Sequence, residues 1–400
     1  MNPPFHVLEW CGNDCYTDSE YGSFMVTGFG RDLSGSTTSV RFSHLPSFLI
    51  RCKTEEECVK QRLQKVLDVA CDVLGDCLHC SSGFVLGKPF TGWQLDEEDF
   101  LRLVFVTRRS MKKFGSVFRT DRLDPDYVDE VPDWFHRGRF GFETYELDAD
   151  LVLQALTSHG IPPTGWLRAD NVTGCSPSRL TKCKVHYETI PVVLDDADVP
   201  QGCAPHVVAT FDIETLSSRS TWEEQIFPDA TFPDDAVTQV CTFFSRFGDS
   251  DPYDAESLVL LPPGAETPTT TVVESIIPVR VRYFRHEAQL LNAWVKSYAD
   301  RGVSVWCHFN GLGFDEAYMH VRCSMHRVDM SVMSLARERY PTRLAESRLE
   351  TSAYGCNVFK TMQLSGVFHL DVMQDIKKSH NLGFWAQGLE SEVQGLEIRT

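Results

Sequence analysis

The sequence predicts a mixed α/β (α+β) chain in two parts, a β-rich amino-terminal part and a later part in which strands alternate with helices. Three observations carry this. Short alternating apolar runs punctuated by Gly, Ser and Pro recur through the first hundred residues. Val207 to Leu216 reads as a strand, with Val207, Val208, Ala209, Phe211 and Ile213 as its apolar members. Val303 to Phe309 is a second apolar strand, which runs through a glycine-bearing turn into the helix-like stretch Glu316 to Cys323. A chain of 400 residues with 42% hydrophobic and 24% charged residues has the balance of a globular protein and is long enough for two or three domains.

In chain order, Phe24 to Phe29, Thr38 to Phe42 after a Gly35 turn, and Ser47 to Arg51 read as strands of one small sheet or partial barrel. Glu55 to Leu74 carries apolar residues at helical spacing, opened by Thr54 and an acidic first turn. Gly83 to Gly87 and Phe100 to Val106 are two further strands, and Arg108 to Phe118 a helix. Asp121 to Trp134, with its Asp-Pro and Pro-Asp pairs, reads as a loop, Thr173 to Ser178 as a turn, and Leu260 to Thr271 as another loop. No internal repeat and no coiled-coil heptad is present.

The charge of −18 argues against a broad basic surface that wraps nucleic acid. The densest basic patch, Arg108, Arg109, Lys112 and Lys113, reads as a solvated helix face, with contact to a DNA backbone as the alternative. No apolar run approaches the roughly 20 residues that span a bilayer, and Met1 to Phe5 lacks the basic start and apolar stretch of a signal peptide. The expected location is therefore inside a cell. Fourteen cysteines in such a chain read as buried, reduced thiols. Cys77 and Cys80, with Cys71 upstream, form the only close set, and no second pair follows at a zinc-binding spacing.

The period of two places Asp212 and Glu214 on the same face of their strand, roughly 7 Å apart along it. Two carboxylates on one rigid strand are a fixed pair of oxygen ligands for a hard divalent cation. Coincidence is the plainer explanation, since the chain has 56 acidic residues. A third acid, Asp315, sits where a strand-turn-helix unit presents a side chain. Its plainer role is a helix cap, with Asn310, Gly311 and Gly313 as ordinary turn residues.

Taken together, Phe211 to Thr215 and the later Asn310, Phe314 and Asp315 resemble the first and second exonuclease motifs of family B DNA polymerases. The resemblance extends through Phe227 to Ala230, Asp235 to Val240 and Phe284 to Glu287 with Leu290, Leu291 and Trp294. Downstream it takes in Ser352 to Gly355, Leu364 to Gly366, Leu370 to Lys378 and Leu382. Val367 stands where the last block usually has Arg. The first 170 residues are similar to the amino-terminal domain of viral and delta-like members through Gly28 to Asp32, Leu45 to Leu49, Phe142, Glu143, Leu147 and Gly160 to Trp166.

What the resemblance implies is an amino-terminal domain over 1–175 and an RNase H-like 3′→5′ exonuclease domain over 176–400, incomplete at its carboxyl end. The chemistry is hydrolysis of the 3′-terminal phosphodiester of a single-stranded DNA primer end by two Mg²⁺ (or Mn²⁺) ions. Asp212 and Glu214 would hold the first ion, with Asp212 bridging both and Asp315 binding the second. Asn310 and Phe314 would shape the cleft, Phe314 having a core role as its alternative. The family's third motif, Tyr-x3-Asp, and its palm motifs do not occur before Thr400. The expectation is thus a fragment, a truncated frame or half of a split gene, with weak or missing exonuclease activity by itself. Its expected partners are the remaining polymerase domains and a processivity factor, and its expected place the nucleus or a viral replication site. Asp371 and Asp375, four apart on an expected helix, read as a surface ion-pair face with Lys377 and Lys378. Two rivals stay open: a nuclease-like module that only binds DNA or a partner, and a stand-alone exonuclease with another fourth ligand.

Overall fold

The computed structural model describes residues 2–16, 22–52, 79–88, 97–116, 142–175, 178–221, 223–269, 271–337, 342–351 and 355–379. The helix expected over Glu55 to Leu74, Cys71 and Cys77, the loop Asp121 to Trp134, and the matches at Ser352 to Tyr354 and at Leu382 lie outside these residues.

The amino-terminal elements are β1 (Phe5–Cys15), β2 (Ser23–Asp32), β3 (Thr37–His44), β4 (Ser47–Cys52), β5 (His79–Gly87), β6 (Glu98–Phe105), α1 (Arg108–Ser116), β7 (Phe142–Tyr145), α2 (Leu151–Ser158), β8 (Gly165–Arg168), β9 (Val185–Glu188) and β10 (Val192–Val193). They form a six-stranded sheet, β10-β8-β1-β2-β3-β9, and a four-stranded one, β5-β6-β4-β7. The single sheet expected from residues 24–51 is therefore two. Between β3 and β4, Pro46 has no N–H with which to continue a ladder, and its carbonyl instead accepts from Phe105 N at 2.8 Å. The first sheet runs on through Val193, past the expected division at 175/176.

The two sheets enclose one apolar core. Phe48 stacks on Phe105 at 5.6 Å, and Phe114 of α1 lies 5.5 Å from Phe105. Asp150 caps α2, its Oδ1 accepting from Val152 N at 2.7 Å and Leu153 N at 3.2 Å, so that Ala155 and Leu156 turn inward. On α1, Arg108 and Arg109 are exposed, as a solvated face requires, and Lys112 pairs with Asp148 at 3.0 Å.

The later elements are β11 (Val207–Thr215), β12 (Val237–Arg246), β13 (Asp254–Leu260), β14 (Val272–Val273), β15 (Val279–Phe284), α3 (Glu287–Arg301), β16 (Val305–His308), α4 (Asp315–Met325), β17 (Leu344–Thr351), β18 (Gly355–Met362), β19 (Phe368–Asp371) and α5 (Val372–Ser379). Seven strands form one sheet in the order β14-β15-β13-β12-β11-β16-β19. β11, β12 and β13 are an antiparallel meander, and β16 and then β19 add in parallel beside β11. That succession, three antiparallel strands extended by two parallel ones, is the RNase H-like arrangement the sequence led us to expect.

Helix α3 covers one face of this sheet with Leu290, Leu291, Trp294 and Tyr298, all buried. Phe211 meets Trp294, Tyr298 and Trp306 at 6.3, 6.0 and 5.5 Å. Fully burying a side chain such as Phe211 stabilises by up to about 3 kcal/mol, so this cluster anchors the inward face of β11. The helix ends at Gly302, whose φ of 61° is left-handed, and the chain turns directly into β16. His6 Nδ1 and His206 Nε2, 3.2 Å apart, and the bond from Arg31 to the Gly302 carbonyl join the first sheet to this one.

Candidate active site

The alternation of β11 decides which groups face outward. Val207, Ala209, Phe211 and Ile213 are buried against α3, and Thr210, Asp212 and Glu214 are exposed on the other face. Asp212 lies opposite Cys241 and Glu214 opposite Gln239 on β12. On the other flank, β16 pairs with β11 only as far as Thr210 opposite Cys307, and stops at His308. Beyond that point the edge of β11 is taken up by the start of α4.

Asp315 is the first residue of α4 and is 4% exposed. Its carboxylate accepts a hydrogen bond from the backbone N–H of Ile213, between the two outward acids. It is not the N-cap, which is Phe314 without a side-chain capping bond. Burial, and next the charge of Asp212, push the Asp315 carboxyl up to about 6, although its own N–H, the Ile213 N–H and His308 pull the other way. The Asp315 carboxyl and the Asp212 carboxylate are therefore close enough to repel each other. A buried acid that is raised by a neighbouring acid is a place where a cation is favoured.

The turn that delivers Asp315 is tightly specified. Asn310 adopts a φ of 61°, which Asn tolerates better than most residues. Phe314 N and Gly313 N both donate to the Asn310 carbonyl, at 3.1 and 2.9 Å. A Cβ on Gly311 would stand 2.3 Å from the His308 ring, so only glycine fits there. Asp371 holds the turn from beneath, its carboxylate accepting from Asn310 N at 2.9 Å, Leu312 N at 3.2 Å and Met373 N at 3.0 Å. Asp371 is thus the buried last residue of β19 and not part of a surface face shared with Asp375. The mismatch arose because β19 is short and passes directly into α5, which makes strand end and helix start look alike in sequence.

The Phe314 ring lies against Tyr318 at 5.2 Å and, edge to face, against Phe227 at 5.3 Å. Phe227 is 75% exposed. An aromatic held by a second aromatic and otherwise open to solvent is placed to stack on a flat ligand. The loop that carries Phe227 is fixed by buried Asp235. Against the cost of burial, bonds from Asp229 N, from Ser218 N and Oγ, and from Arg219 hold this carboxyl well below the usual range. Arg219 also lies over the Phe232 ring at 4.7 Å. Sequence reasoning attached no binding role to Phe227; its signal is a lone aromatic in a loop of Pro and Asp.

Among the described residues, the three metal-ligating side chains whose ligand atoms all lie within 4.8 Å of one another are His308, Glu316 and His369. Asp212, Glu214 and Asp315 are spread more widely than that.

Residues 142–391 match the family model described as DNA polymerase family B, exonuclease domain. The DNA polymerase of Paramecium bursaria Chlorella virus NY2A is 23% identical over 388 residues, which cover 94% of this chain and 38% of that protein. The DNA polymerase delta catalytic subunit of Dictyostelium discoideum is 22% identical over 288 residues, 71% of this chain and 24% of that one. Among solved structures, the family B DNA polymerase from the hyperthermophilic archaeon Pyrobaculum calidifontis aligns with a TM-score of 0.58 at 17% identity, over 94% of this chain and 37% of that one. The chain thus spans less than two fifths of the length of each of these relatives. With well over half of its residues in the matched region, it belongs to the family B DNA polymerases by its exonuclease domain.

Proposed function

We propose that this chain is the amino-terminal and proofreading portion of a replicative family B DNA polymerase, built to hydrolyse the 3′-terminal phosphodiester of single-stranded DNA. The observation that carries this reading is the juxtaposition at β11: two outward carboxylates, Asp212 and Glu214, with the Asp315 carboxyl bonded to the peptide between them. Asp212, Glu214 and Asp315 would hold two Mg²⁺ or Mn²⁺ ions roughly 4 Å apart. Ions bound there would supply an activated water and a partner for the leaving 3′ oxygen. The rest is done by the protein. Phe227 and Phe314 offer an aromatic edge on which the last base can stack, and the Asn310 side chain is exposed beside it.

On this reading, residues 1–175, with the strands that continue to Val193, form the amino-terminal domain, and the rest the nuclease domain. The remaining polymerase domains, in the same or a second chain, and a processivity factor would be its partners at an intracellular replication site. Hydrolysis by residues 1–400 alone should be weak, because three carboxylates bring less negative charge than two divalent ions require.

Calorimetric titration with Mn²⁺ tests the reading, together with a 5′-labelled single-stranded oligonucleotide incubated with Mg²⁺ or Mn²⁺. We expect Mn²⁺ uptake that Asp212→Ala removes, and slow shortening from the 3′ end that the same change abolishes. Absence of specific uptake in the unaltered chain would favour a module that only binds DNA or a partner.

A further inference from the structure

We propose that His308, Glu316 and His369 form a separate site for one late first-row divalent ion of the zinc type, which clamps β16, α4 and β19 together beneath the candidate active site. This inference stands apart from the nuclease reading.

The three ligands come from three elements. His308 ends β16, Glu316 is the second residue of α4, and His369 lies in β19. Glu316 Oε1 is 2.9 Å from His308 Nε2 and 2.7 Å from His369 Nδ1, and Glu316 Oε2 accepts from Met362 N at 2.7 Å. The side chains of Glu316 and His308 are buried, and that of His369 is 10% exposed. Two imidazoles and one carboxylate are a donor set for zinc and its neighbours, whereas Mg²⁺ prefers oxygen alone.

The far ring nitrogens favour an ion. Each imidazole turns one nitrogen to Glu316 and the other to its far side. Those far atoms, His308 Nδ1 and His369 Nε2, are both buried with no hydrogen-bond partner. His308 Nδ1 also lies 3.9 Å from the Asp371 carboxylate. Two buried ring nitrogens without a hydrogen-bond partner are uncommon in a well-packed core. An ion at the meeting point of Oε1, Nε2 and Nδ1 takes the two near nitrogens and leaves the ring protons on the far ones, which gives His308 Nδ1 a partner and His369 Nε2 none. His308 then presents Nδ1–H to Asp371, the carboxylate-histidine-metal arrangement that steadies many such ligands.

Charge and fit agree with this. Among the described residues no Lys or Arg lies within ion-pair distance of Glu316 or Asp371, whose partners there are His308 and His369. One divalent ion balances these two buried carboxylates. The present contacts are hydrogen-bond distances, and zinc bonds of about 2.0–2.1 Å need the donor atoms to part by a few tenths of an ångström, within the reach of side-chain rotation. A fourth ligand, water, can enter at the partly exposed edge of His369.

The test uses the whole 1–400 chain, stripped by chelator, in excess Mg²⁺ so that oxygen-only sites are filled. Added Co²⁺ should bind at one equivalent with the intense visible absorption of a tetrahedral N/O site. Zn²⁺ should displace it and raise the unfolding temperature. His369→Gln should abolish both effects, and Asp212→Ala should leave both in place. The proposal is overturned by a wild-type chain that shows neither the absorption nor the thermal shift, or by uptake that survives His369→Gln and is lost in Asp212→Ala. The wild-type measurements decide the matter even if the histidine variant does not fold.

Discussion

Replacing Asp315 by Asn should stabilise the ion-free protein, although it removes a residue we place at the centre of catalysis. The folded protein raises this carboxyl from 3.8 to about 6, chiefly by burial and next by the charge of Asp212. An acid whose folded value lies above its unfolded one favours the fold below both values. Between them the unfolded chain ionises first, so stability falls as pH rises from about 4 to about 6 and is level above that. Roughly two pH units at about 1.4 kcal/mol each gives a cost of about 3 kcal/mol at pH 8. Asn is nearly isosteric, cannot ionise, and escapes that cost. Denaturant unfolding in EDTA should therefore find Asp315→Asn about 3 kcal/mol more stable than the unaltered chain at pH 8 and close to it at pH 4. Added Mg²⁺ should narrow the difference by stabilising the unaltered chain more than the variant, which keeps only Asp212 and Glu214 for an ion. Equal stabilities at pH 8 in EDTA, or a difference that does not change with pH, would refute the argument that Asp315 is a strained acid awaiting a cation.

Arg322 binds Glu287 and the carbonyls of Phe232 and Pro233, the last two at 2.7 and 3.0 Å, deep in the nuclease core. Arg322→Ala should cost about 3 kcal/mol by leaving the Glu287 carboxylate only His326 and the Val237 N–H, and the double change Glu287→Gln/Arg322→Met should recover part of that in thermal unfolding. Phe227→Ala should leave the unfolding temperature nearly unchanged, because the ring is mostly exposed, yet weaken single-stranded oligonucleotide binding by about 1–3 kcal/mol in fluorescence anisotropy. At Asn310, whose φ is 61°, Gly should keep the turn and Val should lose about 1–2 kcal/mol. If Asn310→Gly folds normally but shortens oligonucleotides more slowly, the amide acts on DNA as well as on the turn.

The outward pair on β11 was legible because a period of two is a local property: Phe211 and Ile213 had to face the core, so Asp212 and Glu214 could not. The turn before α4 was legible for a similar reason, since Asn310, Gly311 and Gly313 announce a backbone that few other residues can follow. β1 was missed where its register shifts between Val7 and Glu9 and breaks the alternation that would have marked it. Asp371 was misjudged because its role is set by the loop of Asn310 and Leu312, some sixty residues earlier, and spacing within its own segment carries no trace of that. The cluster of His308, Glu316 and His369 depends on the parallel register that sets Trp306 beside His369, which no single stretch encodes. Val367, the departure from the family block, is buried in the nuclease core, and the neighbouring Gly366 N–H goes to Glu9 at 2.8 Å. The difference therefore falls on packing and leaves the site's own groups in place.

The position of the site follows from strand direction. β11, β16 and β19 run parallel, so their carboxyl ends open on the same edge of the sheet. Asp212 and Glu214 lie at the end of β11, Asn310 to Asp315 follow the end of β16, and Asp371 closes β19. In open α/β sheets ligands bind outside the carboxyl ends of parallel strands, where chains leave the sheet and their side chains converge. Here the stagger adds to that. β16 stops at His308 whereas β11 continues to Thr215, and the bare flank left beside Ile213 is closed by a carboxylate rather than by another strand. Extending β16 by two paired residues would satisfy the Ile213 N–H through the backbone and displace Asp315. The shortness of β16, a small defect in the sheet, is thus what brings an acid from a distant segment to the edge of the other two.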